Sequence, residues 1–456
     1  MHRWPLREGW QEADLIDEET ALMCEIATIM DNGKLDGAGF EFSADTWKPG
    51  LGSSCNMRIR TKHPYTDETR KERLTMKIRF RFLNFATAFL FVIVMGTILL
   101  FPSAAQCDVV IAIAAPMTGS GAQYGELFKT GAEAGAADIN EKGGVLGHKI
   151  LIRAYDDKNN PTEAANVAQK ISIEKNVVGV IGHFASSATY AAMPTYQKNG
   201  VPVVVISSTD PALTKQGYTF LFRICITQET DGSASAKWLV NKLGKKRIAA
   251  IYMNTDYGKA HFAALSKALL ALGGEVAVEE RYQPGTVDFS PALIKIKNAN
   301  VDAIELGTYY NDSALIVKQT RKLGMTMPIV ASGGALAPAL IELGGEAVEG
   351  MYVSQMTTGP RMEEAAAIYK KVNKVDKVPA PQFSLVAFDA VQFVAEAIKR
   401  GNSIDRNTIQ KTLSTIKDFP TTTGYSTFDE ERQVRFTYMD VVQVKNGQFV
   451  IVGSSR

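Results

Sequence analysis

The sequence predicts an α/β protein made of two doubly wound lobes, each a parallel sheet covered by helices. Three observations predict it. From residue 108 onward, short apolar runs rich in Val and Ile recur at strand length. Segments with helical period separate them. The alternation falls into two successive sets, the first running to about residue 227 and the second from near Asp231 to near Val353. Repeated strand–helix–strand units imply parallel sheets, because each helix carries the chain back to the end where the next strand begins.

The expected strands are VVIAIA (109–114), KILIRAY (149–155), VVGVIG (177–182), VPVVVI (201–206), RIAAIYM (247–253), VDAIEL (301–306) and MPIVAS (327–332). They are continuous apolar runs instead of alternating ones, which fits burial on both faces. GELFKTGAEAGAADINEKGG reads as a helix closed by Gly143-Gly144, because glycine takes the left-handed cap conformation without steric cost. PTEAANVAQKISIEK, DGSASAKWLVNKLG and HFAALSKALLALGG are further helices, and two more are expected near 362–374 and 384–400. YMDVVQVKNGQFVIV reads as a hairpin turning at Asn446-Gly447.

Residues 76–105 have the parts of a secretory signal peptide. Lys77, Arg79 and Arg81 form a basic start, Phe85 to Phe101 is uncharged and mostly apolar, and Ser103-Ala104-Ala105 is a small-x-small cleavage pattern. The same run also fits an uncleaved anchor, and Cys107 leaves lipid attachment open. Either way, the basic flank puts residues 106–456 on the periplasmic or extracytoplasmic side. Residues 1–75 carry no sustained periodicity; Met76 is expected to be the initiator, with 1–75 a non-native or disordered extension.

A formal net charge of +2 over 456 residues gives no basic excess for nucleic acid. Of four cysteines, Cys24 and Cys55 precede the export segment while Cys107 and Cys225 follow it, too few for a disulfide scaffold. The five histidines have no metal-site spacing. There is no G-x-S-x-G elbow, P-loop or C-x-x-C. No cofactor and no enzymatic activity are expected.

In open α/β sheets, ligands sit beyond the carboxyl ends of the strands. The first such loop, AAPMTGSGAQYGE, departs from a dinucleotide fingerprint because Tyr124 stands at the third glycine position. Tyr124 either faces a cleft or packs under the loop. The loop after VVGVIG places Ser186 and Ser187 at a helix start, either as N-caps or as part of a carboxylate site made by free backbone N–H groups. ISSTDPALT offers Ser207, Ser208 and Thr209 at the next strand end. Tyr309-Tyr310 follows VDAIEL, facing either core or cleft, and Gly333-Gly334 follows MPIVAS and leaves room without charge. Asp156-Asp157 reads as a solvated turn or a helix cap.

These residues resemble a known family. PMTGSGAQYG, DINEKGGVLG followed by YDD, IGHFASSAT, SSTDPALT, DYGK and GEAVEGMYV are similar to segments of the branched-chain amino-acid (Leu/Ile/Val) binding proteins of ABC transporters. The resemblance implies the type I periplasmic binding protein fold, two lobes joined by a multi-strand hinge. Lobe 1 would comprise 108–227 plus 354–437, and lobe 2 would comprise 228–353 plus 438–456. It implies a non-enzymatic clamp that holds a branched-chain or related amino acid, or an amide or carboxylate analogue, and serves ABC permease subunits in the membrane. A ligand-sensing receptor module of the same fold is the alternative.

The resemblance assigns Ser186 and Thr209 to a ligand carboxylate, the Ser207-Ser208 backbone to an ammonium, Tyr309 to a contact from the second lobe, and Tyr124, Phe184 and Phe383 to the side-chain pocket. It also marks departures. The family's ammonium-pairing acid falls on Gly333 and a second acidic position on Gln228, leaving Glu305 or Glu229 as substitutes. A glutamate at 333 is expected to improve amino-acid affinity if that place is vacant. The family's first-lobe disulfide positions hold Asn159 and Ala185.

Overall fold

The computed structural model describes residues 108–456 and, apart from them, an antiparallel pair of two-residue strands, β1 (Phe40–Glu41) and β2 (Arg60–Thr61). The chain divides into two compact units, Met1–Ser103 and Ala104–Arg456, and both lobes belong to the second. The predicted extension (1–75), the signal segment (76–105), Cys24, Cys55 and Cys107 lie outside the described residues.

The first sheet holds β3 (Val109–Ala115), β4 (Ile150–Asp156), β5 (Val177–Gly182), β6 (Val203–Val205) and β7 (Leu221–Arg223) in the order β4-β3-β5-β6-β7, all neighbours parallel. Every residue of β3 and β5 is buried, which is why these strands read as unbroken apolar runs. β4 departs from that expectation: it is an edge strand, with Leu151, Arg153 and Ala154 exposed. The helices α1 (Ala122–Glu141), α2 (Pro161–Ile173) and α3 (Ser186–Lys198) follow successive strands.

The chain then enters the second lobe through α4 (Gln228–Lys237), which passes into a π-helical turn at Trp238–Lys242 where one continuous helix is expected. The order continues as β8 (Arg247–Met253), α5 (Asp256–Ala271), β9 (Glu275–Tyr282), α6 (Ser290–Asn298), β10 (Ala303–Gly307), α7 (Tyr310–Lys322), β11 (Ile329–Ala331), α8 (Pro338–Gly344) and β12 (Tyr352–Gln355). From there the chain returns as α9 (Met362–Asn373), α10 (Pro381–Gly401) and α11 (Arg406–Leu413), with α9 and α10 packed on α1. A short hairpin, β13 (Phe419–Thr421) with β14 (Gly424–Ser426), follows, and Gln433 bridges to Arg223 at the edge of the first sheet. β15 (Asp440–Lys445) and β16 (Gln448–Ser454) finally join the second sheet, whose order is β16-β15-β12-β11-β10-β8-β9. Three segments therefore connect the two sheets: those after β7, after β12 and before β15.

Two glycines have a steric reason. A Cβ at Gly125 would lie 2.2 Å from the Pro116 carbonyl oxygen, so the glycine in this loop serves close backbone approach. Gly447 follows Asn446 in the β15–β16 turn, and both hold left-handed φ angles (51° and 67°), as a two-residue hairpin turn of this kind requires. Among the described residues, no helix is long and apolar enough to cross a membrane.

Candidate functional site

The carboxyl ends of β3, β5 and β6 face those of β10 and β11 across the cleft between the lobes. An aromatic cluster closes it. Tyr124 stacks on Phe184 with ring centroids 3.8 Å apart and meets Phe383 edge-on at 5.3 Å. Tyr309 from the second lobe reaches Phe184 at 5.0 Å, and Tyr257 lies 5.0 Å behind it. Hydrogen bonds tie the lobes together: Tyr310 Oη donates to the Ser120 carbonyl at 2.5 Å, Ala339 N–H to Gln123 Oε1 at 2.9 Å and Gln382 Nε2 to the Gly333 carbonyl at 2.6 Å. Phe184, Ser207, Thr209 and Phe383 on one side, with Tyr309 and Gly333 on the other, line an inner cavity of about 30 Å³. Outside the rings the cleft widens to a groove of about 680 Å³ reached by Ser187 and Lys259.

The first-lobe wall is a hydrogen-bond donor surface. Helix α3 begins at Ser186 after Ala185, which provides no side-chain cap, so the first N–H groups of the helix have no intrahelical partner. Ser186 Oγ accepts from Asp210 N–H at 3.3 Å, which leaves the serine hydrogen free to donate. Thr209 Oγ1 likewise accepts from Gln228 Nε2 at 2.7 Å and keeps its own hydrogen for the cavity. This disposition favours an anion: Thr209 offers its hydroxyl at the cavity, the α3 N-terminus with Ser186 lies next to it, and no acidic side chain of the first lobe lines the cavity.

The wall is held from behind by buried polar groups. His183 Nδ1 pairs with Asp157 Oδ2 at 2.6 Å, both fully buried, so Asp157 is neither a solvated turn residue nor a helix cap; Asn160 caps α2 instead. Ser208 Oγ donates to the His183 carbonyl and Ser207 Oγ to the Phe184 carbonyl, each at 2.9 Å, fastening two strand-end loops to each other. Buried Arg223 donates to the carbonyls of Ser208 (3.2 Å) and Asp210 (2.6 Å). Cys225 lines the cavity, and burial pushes its thiol up to about 12, so it stays protonated and unreactive at neutral pH.

The second-lobe wall carries buried charge. Gln228 Oε1 meets His261 Nδ1 at 2.6 Å, and His261 Nε2 meets Glu305 Oε1 at 2.5 Å, a chain that begins at Thr209. Asp231, one helical turn beyond Gln228, lines the cavity beside Gly333.

The profile of the periplasmic binding protein family matches residues 108–448. This chain belongs to that family. The Leu/Ile/Val-binding protein homolog 1 of Brucella suis is 30% identical over 340 residues, covering 74% of this chain and 91% of the relative. The leucine-binding protein LivK of Thermotoga maritima has 31% identity and a TM-score of 0.70, covering 76% of this chain and 98% of that structure. The branched-chain amino-acid transporter substrate-binding protein LivJ of Streptococcus pneumoniae, solved with isoleucine, has 27% identity and a TM-score of 0.70, covering 76% of this chain and 99% of that structure.

Within this periplasmic binding protein, the predicted site residues separate into groups. Thr209, Ser207, Phe184, Phe383 and Tyr309 line the inner cavity. Tyr124 stands between cavity and groove, and Ser186 starts the helix next to them. Ser208 braces the wall from behind: its carbonyl accepts from Arg223 and its hydroxyl donates to the His183 carbonyl. Of the proposed substitute acids, Glu305 is committed to His261 and Glu229 is exposed. Tyr257, Asp231 and Gln382 also line the cavity, beyond the residues that the sequence singles out. The DYGK segment contains Tyr257, and the spacing of three between Gln228 and Asp231 puts both on one helix face; Gln382 has no comparable sequence signal.

Proposed function

We propose that this chain is a non-enzymatic, extracytoplasmic solute-binding protein of an ABC importer, binding a branched-chain or related amino acid between two lobes that close about a hinge. The observation that carries the reading is the pairing, at one cleft, of the uncapped α3 N-terminus and the free Ser186 and Thr209 hydroxyls with the apolar faces of Phe184, Phe383 and Tyr309. The donors suit a carboxylate and the rings suit an aliphatic side chain. Ser186 and Thr209 would hold the carboxylate, Tyr309 would cover the ligand, and Tyr124, Phe184 and Phe383 would bound its side chain. Ser207 contributes wall rather than a contact of its own hydroxyl.

An inner cavity of about 30 Å³ holds little more than water, so an amino acid enters only when the lobes part. Closure around the ligand would present the joined lobe surfaces to the permease subunits. The lobes of this reading are 108–227 with 354–437 and 228–353 with 438–456, exported by the segment 76–105. Support comes from the names of the relatives, which are Leu/Ile/Val-binding or leucine-binding proteins, and from the isoleucine complex of the pneumococcal one.

A thermal-shift screen tests the reading. Branched-chain amino acids at about 100 times Kd should stabilise the protein by about 2.7 kcal/mol through mass action, with amides and simple carboxylates as comparators. A screen in which only nucleotides raise the melting temperature defeats it.

A further inference from the structure

Gly333 leaves the second-lobe wall without a side chain, yet the structure puts a carboxylate in the same space. Asp231 comes from the first turn of α4, is 1% exposed, and lines the inner cavity. Gly333 N–H donates to its Oδ2 at 3.0 Å and the Ser354 hydroxyl donates to its Oδ1. A Cβ built on Gly333 would lie 3.6 Å from Asp231 Oδ2, 3.5 Å from Gln382 Nε2 and 3.2 Å from the Ser354 carbonyl oxygen. Glycine is therefore the residue that leaves the Asp231 carboxylate uncovered.

The charge of this carboxylate is only partly met by the protein. Each of its oxygens has one neutral donor and further lone-pair capacity. Buried His261 feels this charge through space, but both of its ring nitrogens are hydrogen-bonded to Gln228 and Glu305, so it makes no direct bond to Asp231. A buried carboxylate served only by neutral donors is costly, and a cationic partner removes most of that cost. On the opposite wall stands the Thr209 donor, with Ser186 and the start of α3 next to it. The cavity is thus donor-rich at one end and acidic at the other, the complement of a zwitterion.

Resting on the amino-acid reading above, we propose that Asp231 receives the ligand's α-ammonium and makes the site select amino acids with a free amino group over their desamino and N-acylated counterparts. Asp231 sits on the helix that follows the hinge, and because α4 begins at the crossing, the contact also links the ligand to the hinge.

Titration calorimetry at pH 7 with L-leucine, 4-methylpentanoate (leucine without its ammonium) and N-acetyl-L-leucine tests this. The wild type should bind L-leucine at least about 100-fold more tightly than either analogue. Asp231→Asn keeps the side-chain volume and an acceptor, and should lose about 30-fold or more for L-leucine and less than about 3-fold for 4-methylpentanoate. An Asn variant with wild-type leucine affinity overturns the assignment and leaves the amino-acid clamp standing. So does a wild type that holds 4-methylpentanoate as tightly as leucine, a comparison that needs no folded variant. A wild type that binds none of the three overturns the assignment together with the reading beneath it.

Discussion

Tyr124 of the first lobe donates its hydroxyl to the Gly334 carbonyl of the second at 2.5 Å, and the same oxygen accepts from Tyr310 N–H at 3.2 Å. A single phenol therefore latches the closed cleft with two cross-lobe hydrogen bonds, made in a site where burial pushes the Tyr124 pKa well above its ordinary value and keeps the proton in place. Tyr124→Phe retains the stack on Phe184 and deletes both bonds, leaving Gly334 and Tyr310 backbone groups unpaired only in the closed form. Closure should weaken by about 1–3 kcal/mol, so ligand affinity falls by about 5- to 150-fold. Calorimetry reads the affinity, and small-angle scattering of the variant with saturating ligand should keep the compact profile.

Ser186 has its lone pair engaged by Asp210 N–H and its hydrogen free. Ser186→Ala removes the donor and leaves the α3 backbone N–H groups where they are. Affinity for a carboxylate-bearing ligand should drop by about 10-fold, with the melting temperature of the unliganded protein changed by no more than about 2 °C. Unchanged affinity would mean that the carboxylate is held elsewhere.

Gly333→Glu reverses sign between sequence and structure. Read from the sequence, the position is vacant and a glutamate there improves amino-acid binding. In the fold, the new side chain starts 3.6 Å from Asp231 Oδ2, and a second carboxylate in a buried site repels the first. The variant should melt lower than the wild type and bind L-leucine more weakly at pH 7, with part of the loss recovered toward pH 5 as one carboxyl takes up a proton. Calorimetry at the two pH values decides.

Asp389, on α10, holds the β13–β14 turn: its Oδ2 accepts from Thr422 N–H at 2.8 Å and from Thr422 Oγ1 at 2.5 Å, while Oδ1 has no hydrogen-bond partner. Burial raises its pKa to about 7. The folded chain thus keeps a proton that the unfolded chain releases near pH 4, and it binds more protons than the unfolded chain in between. Stability from this group is fully present below about pH 4 and is lost as pH rises toward 7, with a slope of at most about 1.4 kcal/mol per pH unit. Asp389→Asn should flatten that slope: its denaturation midpoint should match the wild type near pH 4 and exceed it at pH 8.

The strands VVGVIG and RIAAIYM are legible because a buried parallel strand shows water neither face, and its whole run turns apolar. β9 is not legible for the converse reason. It is the edge of its sheet, and Glu275, Glu279, Glu280 and Arg281 interrupt its apolar pattern where solvent replaces a neighbouring strand. Ser186, Thr209, Tyr309 and Phe383 could be proposed because they follow strand ends or match family motifs. Asp157 reads as solvated because its neighbour Asp156 is polar and a turn follows, yet its partner His183 comes from another strand end and takes it out of water.

Local pattern was sufficient for the fold class, the strands buried on both faces, the hairpin at Asn446-Gly447 and the family, since periodicity, turn chemistry and short motifs each act over a few neighbouring residues. Three-dimensional closure was needed to learn that Tyr124 meets Gly334, that Ser208 is occupied by Arg223, and that Asp231 fills the space beside Gly333. Those pairs are 210, 15 and 102 residues apart. A hydrogen bond at such separation leaves no periodic trace in the chain, because its geometry exists only after two sheets and a hinge have set the backbone around it.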